Sequence, residues 1–229
     1  PHSPGNVVAV KAMKGTKANQ ILIGSCTNGS YRDIRTVALY LKGKHVAEDV
    51  EVGIACGSRQ VESMLAADGS LAILIAAGCR ILENACGFCI GAHMSPRTGA
   101  VSLRTNNRNF EGRSGTKSAQ VYLVSPETAA ASALAGKVAD PRKEPVAAVP
   151  APKAFPVDDS MFLYRATARR GVKKTEIVRG PNIAPVPKGA PMPETYRGVC
   201  AIKVGDKITT DHIMPAGARL KFRSNVPQY

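Results

Sequence analysis

Three of the six cysteines in this chain differ from the other three in what surrounds them. Cys26 lies in GSCTNGS, residues 24–30, and Cys86 and Cys89 lie in ENACGFCIGAH, residues 83–93. Their neighbours include Gly, Asn and Ser, so these thiols sit in polar loops where a thiolate can ligate a metal or attack an electrophile. Cys56 and Cys79 lie in apolar runs, and Cys200 lies in the alternating GVCAIKV; these three read as small core residues. The CxxC spacing of Cys86 and Cys89 suits a disulfide, half a zinc site or a redox pair. Zinc needs four closed ligands, which Cys26 and His93 would complete only loosely. A thioredoxin-like pair does not bring a third polar-loop cysteine with it. Three cysteines also fit an iron–sulfur cube held at three corners, whose open iron would be a Lewis acid. Spacing alone leaves these choices open.

Two further stretches carry chemistry. NNRNFEGRSGT, residues 106–116, sets Arg108 and Arg113 five positions apart among Gly and Asn. Guanidinium groups bind carboxylates through paired N–H donors, so a loop of this composition can be shaped around an acidic ligand or can simply be a solvated turn. GDKITTDHIMPAG, residues 205–217, places Asp211 beside His212 and is followed by KFR, which ends at Arg223. Alone, an Asp–His pair more often reflects capping and a satisfied imidazole than catalysis.

Elements must hold these residues. Asn19 to Gly24 and Val50 to Ala55 are predicted as buried strands, and Arg32 to Leu41 and Arg59 to Ala67 as the helices that follow them. Ala119 to Val124 is predicted as a later strand leading into a helix that Ser125 caps, Pro126 and Glu127 start and Gly136 stops. Strand–helix alternation at this spacing predicts an α/β domain with a mainly parallel sheet. GSCTNGS then falls between a strand and a helix, the place where such sheets put their sites.

The composition shifts near residue 140. Twelve of the sixteen prolines fall in residues 141–229, and APVPKGAPMP cannot sustain regular structure. Residues 1–140 are predicted as the α/β domain and 141–195 as a Pro-rich connector. Residues 196–229 would be the incomplete start of another domain, with Tyr196 to Val204 its first strand. Too few residues remain there to bury a core.

Bulk properties exclude several classes. The chain has 229 residues with 44% hydrophobic content, and its longest apolar run, Leu71 to Gly78, is far too short to cross a membrane. No basic-then-apolar signal segment opens it. The net charge is +14, of which residues 141–229 contribute +9 from sixteen Lys/Arg against seven Asp/Glu. That basicity is scattered among prolines with few aromatic neighbours, so nucleic-acid binding is not expected to be its purpose.

Taken together and in order, GSCTN, ACGFCIG, NRNFEGR and TTDHIMPAG resemble the aconitase family of hydro-lyases, over nearly the whole chain from about Gln20 to Arg223. The resemblance implies a three-layer α/β domain, a linker and the start of a swivelling domain. It implies that Cys26, Cys86 and Cys89 ligate a [4Fe-4S] cluster, with Asn107 against it. Arg108, Arg113 and Arg223 would hold substrate carboxylates, and Asp211, with His212 as a weaker match, would lie in the catalytic cleft. TTDHIMPAG within one polypeptide is closer to aconitase proper than to the isopropylmalate isomerases, whose swivelling domain is often separate. The expected reaction is therefore the isomerisation of citrate to isocitrate, as in the tricarboxylic acid cycle. A relative acting on isopropylmalate, homocitrate or methylcitrate is the alternative. An RNA-binding regulator in the cluster-free form is the alternative of another class. The expected partners are a tricarboxylate and the remaining aconitase domains, in this or another chain. Those domains, which in the family include the catalytic base, would lie outside residues 1–229, so the chain alone is expected to be inactive. Cluster thiolates need a reducing compartment, which predicts bacterial cytoplasm, or a mitochondrial matrix. Phe88 stands where the family's CGPC commonly has proline, a departure expected to change loop rigidity more than ligation.

Overall fold

The apolar runs become a five-stranded, all-parallel sheet in the computed structural model, which describes residues 1–2, 5–162, 178–181, 183–185, 187–206, 208 and 210–213. Strand β1 is Gln20–Gly24, and it runs into a short helix α1, Ser25–Asn28. Helix α2, Tyr31–Leu41, follows, then β2, Glu51–Ala55. Helices α3, Arg59–Ala67, and α4, Ser70–Ala76, lead to β3, Arg80–Leu82. Then come β4, Val101–Arg104, β5, Gln120–Leu123, and helix α5, Pro126–Ala135. The sheet order is β3-β2-β1-β4-β5, so the chain reverses direction across the sheet after β3 and leaves a switch point between β1 and β4.

Helices α2, α3 and α5 start where their local chemistry dictates. Ser30 and Asp33 form a reciprocal capping box on α2, and Ser58 and Ser125 cap α3 and α5. Each such cap is worth about 1 kcal/mol. Gly136 closes α5 in the left-handed conformation, as the sequence predicts. Helix α4, and strands β3 and β4, are additions to the sequence-based expectation. After Ser70 the α4 run LAILIA is uniformly apolar and its sequence shows no face, β3 is three residues long, and β4 carries polar Ser102 and Arg104.

Alternation along the strands divides the core in two. Ile21, Ile23, Val52, Ile54 and Leu103 face helices α2 to α5 and share one cluster with Ile34, Val37, Leu65, Leu74 and Ala130. Leu22 and Ala55 face the other way, against Phe88, Met94 and Leu82. Segment 83–100 therefore crosses the second face of the sheet on its way from β3 to β4. Helices, sheet and this cysteine-bearing segment are the three layers.

Cys56 and Cys79 belong to the helix-side core as expected, and burial pushes their thiols up to about 11 and about 12. Cys200 is exposed, and Tyr196 to Val204 forms no strand. A strand needs a neighbour for its backbone ladder, and none of the described residues pairs with it. The compact unit containing the sheet spans Pro1–Met161, and Phe162–Tyr229 is a second unit. Within the first, Pro141–Lys143 is a 3-10 turn capped by Asp140, and Val149 is buried. Within the second, helix α6 is Thr210–Ile213. Among the described residues no helix is long and apolar enough to cross a membrane.

Candidate metal centre

All five strands run the same way, so the segments after β1, β3 and β4 emerge at one edge. These are the segments that carry Cys26, the Cys86–Cys89 turn and the 105–116 loop. Hydrogen bonds tie them together. The Gly24 N–H donates to Thr105 Oγ1 at 2.8 Å, and the Asn28 side chain donates to the Thr105 carbonyl. The Gly57 N–H after β2 donates to the Gly29 carbonyl at 2.8 Å. Gly24 itself has φ 107°, and a Cβ there would stand 1.9 Å from the Ala55 carbonyl oxygen, so only glycine lets β1 leave the sheet this closely.

Cys26 and Cys86 are exposed and Cys89 is buried; all six cysteines are thiols rather than disulfides. Cys89 begins to show why its turn is placed where it is. Asn106 Nδ2 donates to its sulfur at 3.2 Å and Arg113 Nη2 at 3.5 Å. The turn itself is a 3-10 helix, Phe88–Ile90, ended by Gly91 in the left-handed conformation. Ser95 Oγ donates to the Ser114 carbonyl at 3.0 Å, and Thr116 Oγ1 to the Pro96 carbonyl at 2.6 Å, joining the turn's exit to the arginine loop.

Among the loop residues named from sequence, Arg113 is 7% exposed, Arg108 is half-buried and Asn107 is exposed. Arg113 also lies over the Phe110 ring, 5.5 Å from its centroid. His212 is exposed in α6, in the second unit with Asp211, and Arg223 lies outside the described residues. Two residues, Asn106 and Arg104, escaped the sequence reading, and a third, Phe88, was noted there without its packing role. Asn106, next to Asn107, is the amide that meets Cys89, and its Oδ1 is buried without a protein partner. Phe88, the departure from proline, is 2% exposed and packs on Leu22, Ala55, Met94 and Leu82. Arg104 is wholly buried beneath the turn, where burial pushes its guanidinium down to about 10, still charged at neutral pH, with the Cys89 sulfur opposing the shift. The polar alternation of VSLR was the available signal for Arg104, since a charged residue inside a buried parallel strand demands partners.

Among the described residues no three His, Cys, Asp or Glu side chains converge on one point as a single ion requires. A cube takes one thiolate per iron corner and makes no such demand. Three cysteines on one sheet edge, two of them accessible, and N–H donors aimed at the third sulfur fit that group. A hollow of about 620 Å³ lies instead along the opposite edge, near Gln20, Glu51 and Arg80. Its charges are largely spent on each other, in Lys17–Asp49 and Arg80–Glu51 pairs.

Residues 6–136 match the model of the aconitase family (aconitate hydratase). The chain belongs to the aconitase family. Among curated members of the family, the 3-isopropylmalate dehydratase large subunit 1 of Methanopyrus kandleri is 45% identical over 143 residues, 62% of this chain and 34% of that protein. The large subunit 2 of the same enzyme from Pyrococcus furiosus is 46% identical over 142 residues, 62% of this chain and 37% of that protein. The methanogen homoaconitase large subunit of Methanocaldococcus jannaschii is 42% identical over 139 residues, 60% of this chain and 33% of that protein. The chain spans about a third of the length of these relatives. They overturn the expectation of a citrate-isomerising aconitase of the tricarboxylic acid cycle, because these aconitase-family relatives are named for isopropylmalate and homoaconitate chemistry. That expectation rested on TTDHIMPAG standing in the same polypeptide, a segment outside the matched residues 6–136, while the motifs within them are common to the family and could not separate the substrates.

Proposed function

We propose that this chain is the cluster-bearing part of a hydro-lyase of the 3-isopropylmalate dehydratase type. The observation that carries the reading is the 40–46% identity to large subunits of that name over about 140 residues of this chain. In this reading the three cysteines ligate a [4Fe-4S] cluster, which when bound supplies a Lewis acid for departure of the substrate hydroxyl. Arg108 and Arg113 pair with substrate carboxylates, and Asn107 faces the same space. Asn106 and the Arg113 guanidinium donate to the Cys89 sulfur and orient it. By the family resemblance Asp211 and His212 are catalytic groups and Arg223 a carboxylate partner, and the base that moves the proton comes from the remaining domains of the enzyme. The chain works with those remaining domains or with a companion subunit, in a reducing cytoplasm where thiolates survive. Isopropylmalate differs from citrate in carrying a branched apolar group where citrate has a third carboxylate, so one fewer guanidinium is needed.

Anaerobic reconstitution with iron and sulfide should give the visible absorption of an iron–sulfur chromophore, lost in Cys86→Ser and kept in Cys79→Ala. The complete enzyme should then dehydrate isopropylmalate with a higher kcat/KM than citrate or homocitrate. A preference for citrate would sink the substrate assignment, and a chromophore that survives Cys86→Ser would sink the ligand assignment.

A further inference from the structure

Arg104 has the largest side chain that is completely enclosed in the described structure. A buried guanidinium costs several kcal/mol unless its N–H groups are used, so its partners show what it is for. Two are on the sheet: Nε donates to Ser102 Oγ at 3.0 Å and Nη2 to Gln20 Oε1 at 3.0 Å. Gln20 Oε1 also accepts from Ser102 Oγ at 2.9 Å, which closes a triangle of β1 and β4 side chains. The other two are carbonyls of the cysteine segment. Nη1 donates to Phe88 O, and Nη2 to Met94 O at 3.3 Å. These carbonyls stand on either side of Cys89, one immediately before it and one five residues after it. The Phe88 and Met94 side chains dock on the sheet beside the same guanidinium. Residue 88 is thus held twice, by its ring and by its carbonyl, which gives Phe88 a reason that the CxxC pattern lacks.

We propose that Arg104 is a positioning residue for Cys89: its guanidinium fork straps both ends of the cysteine turn to strands β1 and β4 and so fixes where the Cys89 sulfur stands. Its importance for metal binding rests on the reading of Cys89 as a ligand; the strap itself does not. Only a planar fork reaches four acceptors in this layout. Lysine keeps the charge but donates from a single nitrogen, so it cannot span Ser102, Gln20 and both carbonyls. Local opening of the turn should follow loss of the fork, while the helix-side core stays closed.

The test is alkylation of the full chain by iodoacetamide under reducing, metal-free conditions, with each cysteine followed by peptide mass spectrometry. In the parent, Cys89 should react slowly and Cys26 and Cys86 quickly. In Arg104→Met, Cys89 should react roughly tenfold faster, with Arg104→Lys intermediate and Cys56 and Cys79 unchanged. An unchanged Cys89 rate overturns the proposal. So does an equal rise at Cys56 and Cys79, which would make Arg104 a general core residue. Should Arg104→Met fail to fold, Arg104→Lys decides alone by the same comparison. A parallel arm measures iron loss to a chelator after reconstitution, which should be faster in both variants than in the parent. If the parent takes up no cluster while Cys89 alkylation still depends on Arg104, the ligand reading fails and the strap stands.

Discussion

The Asn106 side-chain amide stands 3.2 Å from the sulfur of Cys89, seventeen residues back in the chain, and Arg113 approaches the same sulfur at 3.5 Å. One cysteine of the CxxC pair is thus solvated and the other is held among N–H donors. Donors to a ligating sulfur are outer partners of the metal and bear on its retention. Asn106→Ala should speed iron loss from the reconstituted chain about 10-fold to 100-fold, the usual cost of an outer partner. The thermal midpoint should fall by no more than a few degrees, because the amide's protein bonds are confined to the Cys89 sulfur and, at 3.5 Å, the Arg108 carbonyl. Iron retention equal to the parent would show that the contact does not matter.

The cysteine turn and the arginine loop meet at Gly91. Its φ is 79°, and a Cβ would stand 2.2 Å from the Ser114 carbonyl oxygen. Gly43 has φ 71° with nothing within 4 Å of a Cβ, so it is the natural control. Gly43→Ala should cost about 1 kcal/mol from the left-handed backbone alone. Gly91→Ala should cost roughly 2–4 kcal/mol, since backbone must move as well, and should push the turn away from Arg113. Urea unfolding of the two variants checks the difference; equal costs would remove the close approach from the account.

Asp68 lies between α3 and α4 and accepts from Tyr31 Oη at 2.7 Å and from the Ser70 N–H at 2.8 Å, with Arg35 paired beside it. Burial alone would raise its carboxyl, but the bonds from Ser70 and Tyr31 and the Arg35 charge outweigh that and hold it below the ordinary value. A depressed folded pKa means the unfolded chain binds the proton first, so the stabilisation is complete above about pH 4 and lost as pH falls through the folded pKa. Asp68→Asn should cost about 1 kcal/mol at neutral pH, and the gap to the parent should close in acid. A gap that is constant from neutral to acidic pH would contradict the assignment.

Local grammar was legible in the residues themselves. Ser125, Pro126, Glu127 and Gly136 announced α5, and Arg59–Ala67 was predicted with the bounds it has. Helix starts depend on groups three or four residues apart, so sequence shows them directly. The all-apolar run that became α4 carried no periodicity to read, and VSLR looked unlike a buried strand because its polar side chains pair far along the chain. Tyr196 to Val204 shows the opposite failure, a strand-like pattern with no ladder partner among the described residues.

By itself the sequence determined the candidate ligands and their family, because small polar neighbours mark Cys26, Cys86 and Cys89 against the apolar settings of Cys56 and Cys79. It determined, too, that a parallel sheet would bring strand-end loops to one edge. Tertiary structure alone decided how one of those cysteines is held. Arg104 reaches Gln20 across 84 residues and Phe88 across 16, and Gly24 reaches Thr105 across 81. Sequence patterns encode periodicity and caps over a few residues. A buried charge finds its partners only after β1 and β4 pair and segment 83–100 is laid over them, so the strap beneath Cys89 exists only in the folded chain.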